Sequence, residues 1–197
     1  AATAINTPIN NINVLVNDTD VDGDPLTVTG ASVGAAFGTV SVNANGSLNF
    51  TPVTNVTGPV SISYTLSDGQ GGTSTGTLTV TVGANTPPTG ANATLTIDED
   101  TSRTFTAADF GFSDADFGQT LAAVRIDTLP VAGTLTLGGV AVSAGQLIAV
   151  ASIGNLVFTP AANANGIGYA SFTFSVQDSA GAFDTAPNTI SLNVTPV

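Results

Sequence analysis

Apolar and hydroxyl-bearing residues alternate along much of this chain. Leu78-Thr79-Val80-Thr81-Val82, Val60-Ser61-Ile62-Ser63-Tyr64, Leu95-Thr96-Ile97 and Phe172-Thr173-Phe174-Ser175-Val176 each place apolar side chains on one face and small polar ones on the other. A period of two is that of an antiparallel strand buried on one side. Clusters of Gly, Asn, Asp and Pro separate these runs at the spacing of a β-sandwich. The fold class predicted is therefore all-β. The one helical candidate is a single turn over Thr106 to Gly111.

The pattern occurs twice. Phe50-Thr51-Pro52 is followed by Gly58, Tyr64 and Asp68, and Phe158-Thr159-Pro160 by Gly166, Phe174 and Asp178. In both copies the glycine stands six residues after the proline. Upstream, Asp20-Val21-Asp22 matches Asp114-Ala115-Asp116, and Gly38-Thr39-Val40 matches Gly133-Thr134-Leu135. A repeat of this length implies one structural unit per copy. The second copy is longer, which predicts an extra hairpin near 138–154, with Val140-Ala141-Val142 and Leu147-Ile148-Ala149-Val150 as its strands. Pro87 and Pro88 stiffen the joint. The domains predicted are 1–85 and 89–197, with 86–88 as linker.

Composition narrows the chemistry. The 197 residues include 2 Lys+Arg against 14 Asp+Glu, a formal net charge of -12, and no Cys, His, Met or Trp. Arg103 and Arg125 cannot build a basic stripe, so nucleic acid and anionic membranes are excluded as partners. No apolar run is long enough to span a bilayer as a helix. Imidazole and thiol ligands being absent, hard cations on oxygen are the metal chemistry left. Serine and threonine are plentiful but have no His or Lys base to activate them. Paired carboxylates could serve a glycosidase, yet their repetition at matching loops suits a repeated role better than one asymmetric active site. The expectation is that the protein is not an enzyme. The chain opens and closes in strand-like sequence, as a segment of something longer would.

The run Asn17-Asp18-Thr19-Asp20-Val21-Asp22-Gly23-Asp24, the Gly-Thr-Val strand, Phe-Thr-Pro and Ser67-Asp68-Gly69-Gln70-Gly71-Gly72 together resemble the cadherin-like tandem repeats of giant bacterial surface and secreted proteins. These include the extender regions of type I-secreted adhesins. The second copy, opened by Ile97-Asp98-Glu99-Asp100-Thr101, is similar to the same group. The resemblance implies two tandem seven-stranded Greek-key (Ig-like) β-sandwiches, calcium near the domain joints, and a mechanical or adhesive role outside the cell.

Alternating carboxylates in an extended loop can converge on one side, with Gly23 allowing the tight turn. An EF-hand is rejected, because its twelfth position would be Thr29 and no helices flank the run. Two readings stay open: a calcium loop, or a solvated Asp-rich turn. On the calcium reading Asp18, Asp20, Asp22, Asp24 and Asp68 lie together in domain one. By resemblance, Asp114, Asp116 and Asp178 face the joint, and Asn85 matches the last Asn of the cadherin linker motif. Gly83 and Ala84 stand where that motif has ligands, so a full three-calcium joint is not implied. Glu99 and Asp100 could serve a following domain, or form an exposed acidic turn.

Phe50, Tyr64, Phe158, Phe172 and Phe174 are assigned to the cores. Phe110, Phe112, Phe117 and Phe183 flank the acidic loops, where they could cap a metal site, pack against domain one or stack a sugar. The function expected is a calcium-stiffened extracellular spacer of a large adhesin, with neighbouring repeat domains as partners. A module binding a glycan or protein, and a subunit that associates with itself, are the alternatives. Lysine, a common guard on exposed strand edges, is absent.

Overall fold

A computed structural model describes all 197 residues. The chain divides into two compact units, Ala1–Asn85 with Asp116–Gly118, and Thr86–Ala115 with Gln119–Val197. They are called domains one and two below. No helix is long and apolar enough to cross a membrane.

Domain one has seven strands, β1 (Ala2–Thr3), β2 (Ile9–Ile12), β3 (Thr27–Val33), β4 (Gly38–Val42), β5 (Leu48–Pro52), β6 (Gly58–Ser67) and β7 (Thr73–Val82). They form two sheets, ordered β1-β7-β6-β3 and β2-β5-β4. Alternation explains the division of faces. In β6, Val60, Ile62, Tyr64 and Leu66 are buried while Ser61 and Ser63 are exposed. They meet Leu48 and Phe50 from the other sheet in a single core.

Domain two repeats this plan with nine strands. They are β8 (Ala93–Asp98), β9 (Arg103–Thr104), β10 (Leu121–Ile126), β11 (Thr134–Leu137), β12 (Val140–Ala141), β13 (Gln146–Ala149), β14 (Leu156–Thr159), β15 (Gly166–Asp178) and β16 (Asn188–Thr195). The sheets run β13-β10-β15-β16-β8 and β12-β11-β14-β9. Phe50 and Phe158 occupy equivalent positions: Val40 faces Phe50 across β4–β5, and Leu135 faces Phe158 across β11–β14. The glycine that opens each upstream strand has the same purpose. A Cβ at Gly38 would come within 2.5 Å of the Phe50 ring, and one at Gly133 within 2.5 Å of the Phe158 ring.

A bulge in β15 between Gly166 and Ala170 accounts for the greater distance from glycine to aspartate in the second copy. The inserted segment forms two strands where expected, but they do not pair as a hairpin. β12 joins β11 in one sheet and β13 joins β10 in the other. Val142 and Ile148 are both buried in the core of domain two, so the segment closes its side from both sheets.

The helical turn is a 3-10 helix, Ala107–Phe110, ended by Gly111 in the left-handed region. Asp109 accepts the Thr106 backbone N–H at 2.7 Å and pairs with Arg103 at 2.7 Å, satisfying the first turn. This turn carries Phe110 into the core, where its ring meets Phe174 edge-on at 4.9 Å. Phe110 is thus a core residue and caps no acidic loop.

Candidate functional site

The acidic loops of domain one hold themselves together. The Tyr64 hydroxyl lies 3.0 Å from Asp18 Oδ2 and 3.3 Å from the Val14 carbonyl, donating its one proton between them. Burial, then the hydrogen bond and charge of Asp18, pushes the Tyr64 phenol above its ordinary value. Asp20 Oδ1 accepts the backbone N–H groups of Asp22 at 2.8 Å and Asp24 at 3.1 Å. Asp68 Oδ1 accepts those of Gln70 at 2.7 Å and Gly72 at 2.9 Å. These are Asx turns, in which a carboxylate organises the loop that follows it.

Asp18, Asp20 and Asp68 line one open cavity of about 280 Å³, with Leu26 and Leu66 among its other walls. Asp22 and Asp24 are not part of that lining. Of the five carboxylates expected together, three share this cavity's lining. The turn that brings the Asp22 and Asp24 amides onto Asp20 spends the loop's geometry on its own backbone. Nowhere in the chain do three or more carboxylates come close enough to form a metal-binding group.

In domain two Asp178 repeats the Asp68 turn. Its Oδ1 accepts the Ala182 N–H at 2.8 Å, and its own N–H donates to the Ala182 carbonyl at 3.0 Å. Unlike half-exposed Asp68, Asp178 is 0% exposed. Asp184, which sequence reading passed over, is 9% exposed. Its Oδ2 accepts the Asn188 amide at 2.8 Å, and its Oδ1 is buried with no hydrogen-bond partner. Asp184 stands six residues after Asp178, where domain one has Ser74 six after Asp68. That mismatch between copies was the available signal. Asp114 and Asp116 are half-buried, with Asp114 Oδ2 shielded from solvent, and Asn85 is half-buried.

Glu99 and Asp100 are committed within their own domain. Glu99 accepts the Asn165 amide at 2.8 Å and the Val197 N–H at 3.1 Å, and Asp100 accepts the Asn163 N–H at 2.9 Å. Phe183 lies under the Arg125 guanidinium at 4.7 Å, a cation–π contact that occupies one ring face.

The family model for the bacterial Ig domain matches residues 1–81 and again 85–191. The chain belongs to that family. No curated protein matches it. Among solved structures, human protocadherin-24 EC1-2 is 16% identical over 90% of this chain and 85% of its own, with a TM-score of 0.33. Human CDH23 EC21-23 is 14% identical over 86% of this chain and 57% of its own, at 0.39. Sidekick-1 immunoglobulin domains 1–5 are 14% identical over 90% and 34%, at 0.35. Both domains are thus bacterial Ig domains.

The two Ig domains differ in how well they suit a cation. In domain one, Asp20 and Asp68 have backbone amides as partners. Domain two buries the Asp184 carboxylate with one oxygen lacking a hydrogen-bond partner, in a chain with two cationic side chains, both engaged elsewhere. Arg103 pairs with Asp109, and Arg125 with Asp127 at 2.5 Å. A buried carboxylate without a counter-charge is costly. The orphaned Asp184 oxygen fits a hard cation from solution.

Proposed function

We propose that this pair of bacterial Ig domains is an extender segment of a large extracellular repeat protein, holding another module at a distance. The observation that carries the reading is the repetition itself. Two sandwiches, each with its own core, are built on the same register around Phe50 and Phe158. A spacer needs independently stable units in series, and tandem arrays deliver them. Calcium belongs to this proposal on the side of domain two, where Asp114 and Asp178 would supply carboxylates to it. Neighbouring repeats are the partners proposed.

Sedimentation velocity tests the reading. The chain is expected to sediment as an elongated monomer, with a frictional ratio that rises in millimolar calcium and returns with chelator. A compact or calcium-indifferent monomer would count against a calcium-stiffened spacer. Self-association is the second reading, supported by the exposed apolar residues Val140 and Leu147 on the edge strands β12 and β13. It predicts concentration-dependent oligomers in the same experiment.

A further inference from the structure

We infer that Asp184 is a cation ligand of domain two, acting with Asp178 and taking calcium or another hard divalent ion. The inference rests on the calcium reading above and adds to it a side chain outside the Asp-x-Asp runs.

The backbone places the two carboxylates together. Gln177 and Phe183 form an antiparallel bridge, flanked by hydrogen bonds from Asp178 N–H to Ala182 at 3.0 Å and from Asp184 N–H to Val176 at 3.0 Å. Side chains alternate across such a ladder. Gln177 and Phe183 therefore share one face, and Val176, Asp178, Ala182 and Asp184 the other. Arg125 stacks on Phe183 and is held by Asp127 and Ser175. Two of the four residues on that face are carboxylates, and Arg125 lies on the other face with Phe183.

The partners of Asp184 account for half of its carboxylate. Asn188 donates to Oδ2 at 2.8 Å and to the Ala186 carbonyl at 3.3 Å, leaving Oδ1 without a donor. Gly90 closes over this pair: a Cβ there would fall 2.6 Å from Asn188 Nδ2 and 3.3 Å from Asp184 Oδ2. Buried polar atoms left without partners are rare in folded proteins and call for an explanation such as an ion. A hard divalent cation accepts carboxylates, backbone carbonyls and water in one flexible shell, so Asp178 and Asp184 would supply part of that shell and carbonyls and water the rest. Domain one, with Ser74 at the matching position and a half-exposed Asp68, lacks the pair.

The test is thermal melting and terbium luminescence of the full chain, titrated with calcium or terbium, for the wild type, Asp184→Asn, Asp184→Ser and the double variant Asp20→Asn/Asp22→Asn. Asp184→Ser installs the side chain domain one uses at this place and guards against a folding defect peculiar to the amide. The wild type should gain melting temperature with calcium. Both Asp184 variants should bind at least about tenfold more weakly. In chelator they should melt at or above the wild type, because the unpaired buried charge is gone. The domain-one variant should bind as the wild type does. If both Asp184 variants keep the full calcium response, or melt lower in chelator with that response intact, Asp184 is structural and this inference falls while the calcium reading stands. If the wild type itself binds no calcium, the calcium reading falls and takes this inference with it.

Discussion

Asn6 and Asn55 lock each other in the left-handed region. Asn6 has φ 57° and Asn55 φ 64°, and the Asn55 N–H donates to Asn6 Oδ1 at 2.7 Å. Domain two repeats the device with Asp100 at 61° and Asn163 at 56°, joined at 2.9 Å. Asn55 and Asn163 each stand three residues after the proline of Phe-Thr-Pro. Asn and Asp tolerate this backbone because their short polar side chains bond locally. The clamp ties the turn after the first strand of each domain to the loop before its long central strand. Replacing Asn6 with Ala should cost about 1–2 kcal/mol, combining left-handed strain with a lost hydrogen bond. Asn6→Gly should cost less, since glycine relieves the strain. Urea unfolding in which both variants lose the same amount would show that strain plays no part.

Tyr64 gives domain one an alkaline limit. Its hydroxyl is bonded to Asp18, and the ring is 4% exposed. Its folded value lies above the unfolded one, so the folded state holds the phenolic proton more tightly. The stabilisation is full below about pH 10, the unfolded phenol value, and is lost as pH rises through the raised folded value. Melting between pH 8 and 11 should show this loss in the wild type. Tyr64→Phe should cost about 1–3 kcal/mol at neutral pH, because the hydrogen bond goes to a carboxylate. It should also flatten the alkaline decline, and an unchanged decline would place its origin elsewhere.

The inserted strands face two ways, and adjacent residues report it. Ile148 is 1% exposed and Leu147 is 52% exposed. Ile148→Ala should destabilise domain two by about 2–5 kcal/mol, whereas Leu147→Ala should stay within about 0.5 kcal/mol. Deleting 138–154 removes Val142, Ile148 and Ile153 from the core, and should uncover the rest of it and lower the melting temperature. A deletion with unchanged stability would make the segment decoration.

The two glycines that pass the core phenylalanines offer a paired test of the repeat. Gly38→Ala would set a Cβ 2.5 Å from both the Phe50 ring and the Thr51 carbonyl. Overpacking of this kind costs about 1–3 kcal/mol. Gly133→Ala should cost more, because Gly133 also has φ 72°. Negligible losses in denaturant unfolding would contradict the close approach to both rings, and equal losses would show that the Gly133 backbone adds no strain.

Local signals were legible in the sequence. Phe-Thr-Pro with its fixed distance to glycine marked equivalent strands, and Thr106 to Gly111 showed a turn because caps act within a few residues. Alternation names the face a side chain takes but not the strand it pairs with. That is why Val140 and Leu147 suggested one hairpin rather than edges of two sheets. The parallel pairing of β1 with β7, and of β8 with β16, joins residues from opposite ends of each domain and leaves no local mark. The Asp runs showed where carboxylates cluster, but not that Asp20 and Asp68 would bond to their own loops. Asp184 differed from Ser74 at the matching place in the first copy, but that mismatch alone did not show its burial. A lone aspartate after Phe183 gains its meaning from burial, which only the packing of β15 and its neighbours decides.

Small-angle scattering from the whole chain, at rising protein concentration with and without millimolar calcium, tests the extender proposal most directly. The account predicts a monomer at every concentration, with a maximum dimension that lengthens in calcium and falls back in chelator. Particles that grow with concentration, or a monomer whose dimensions ignore calcium, would contradict it.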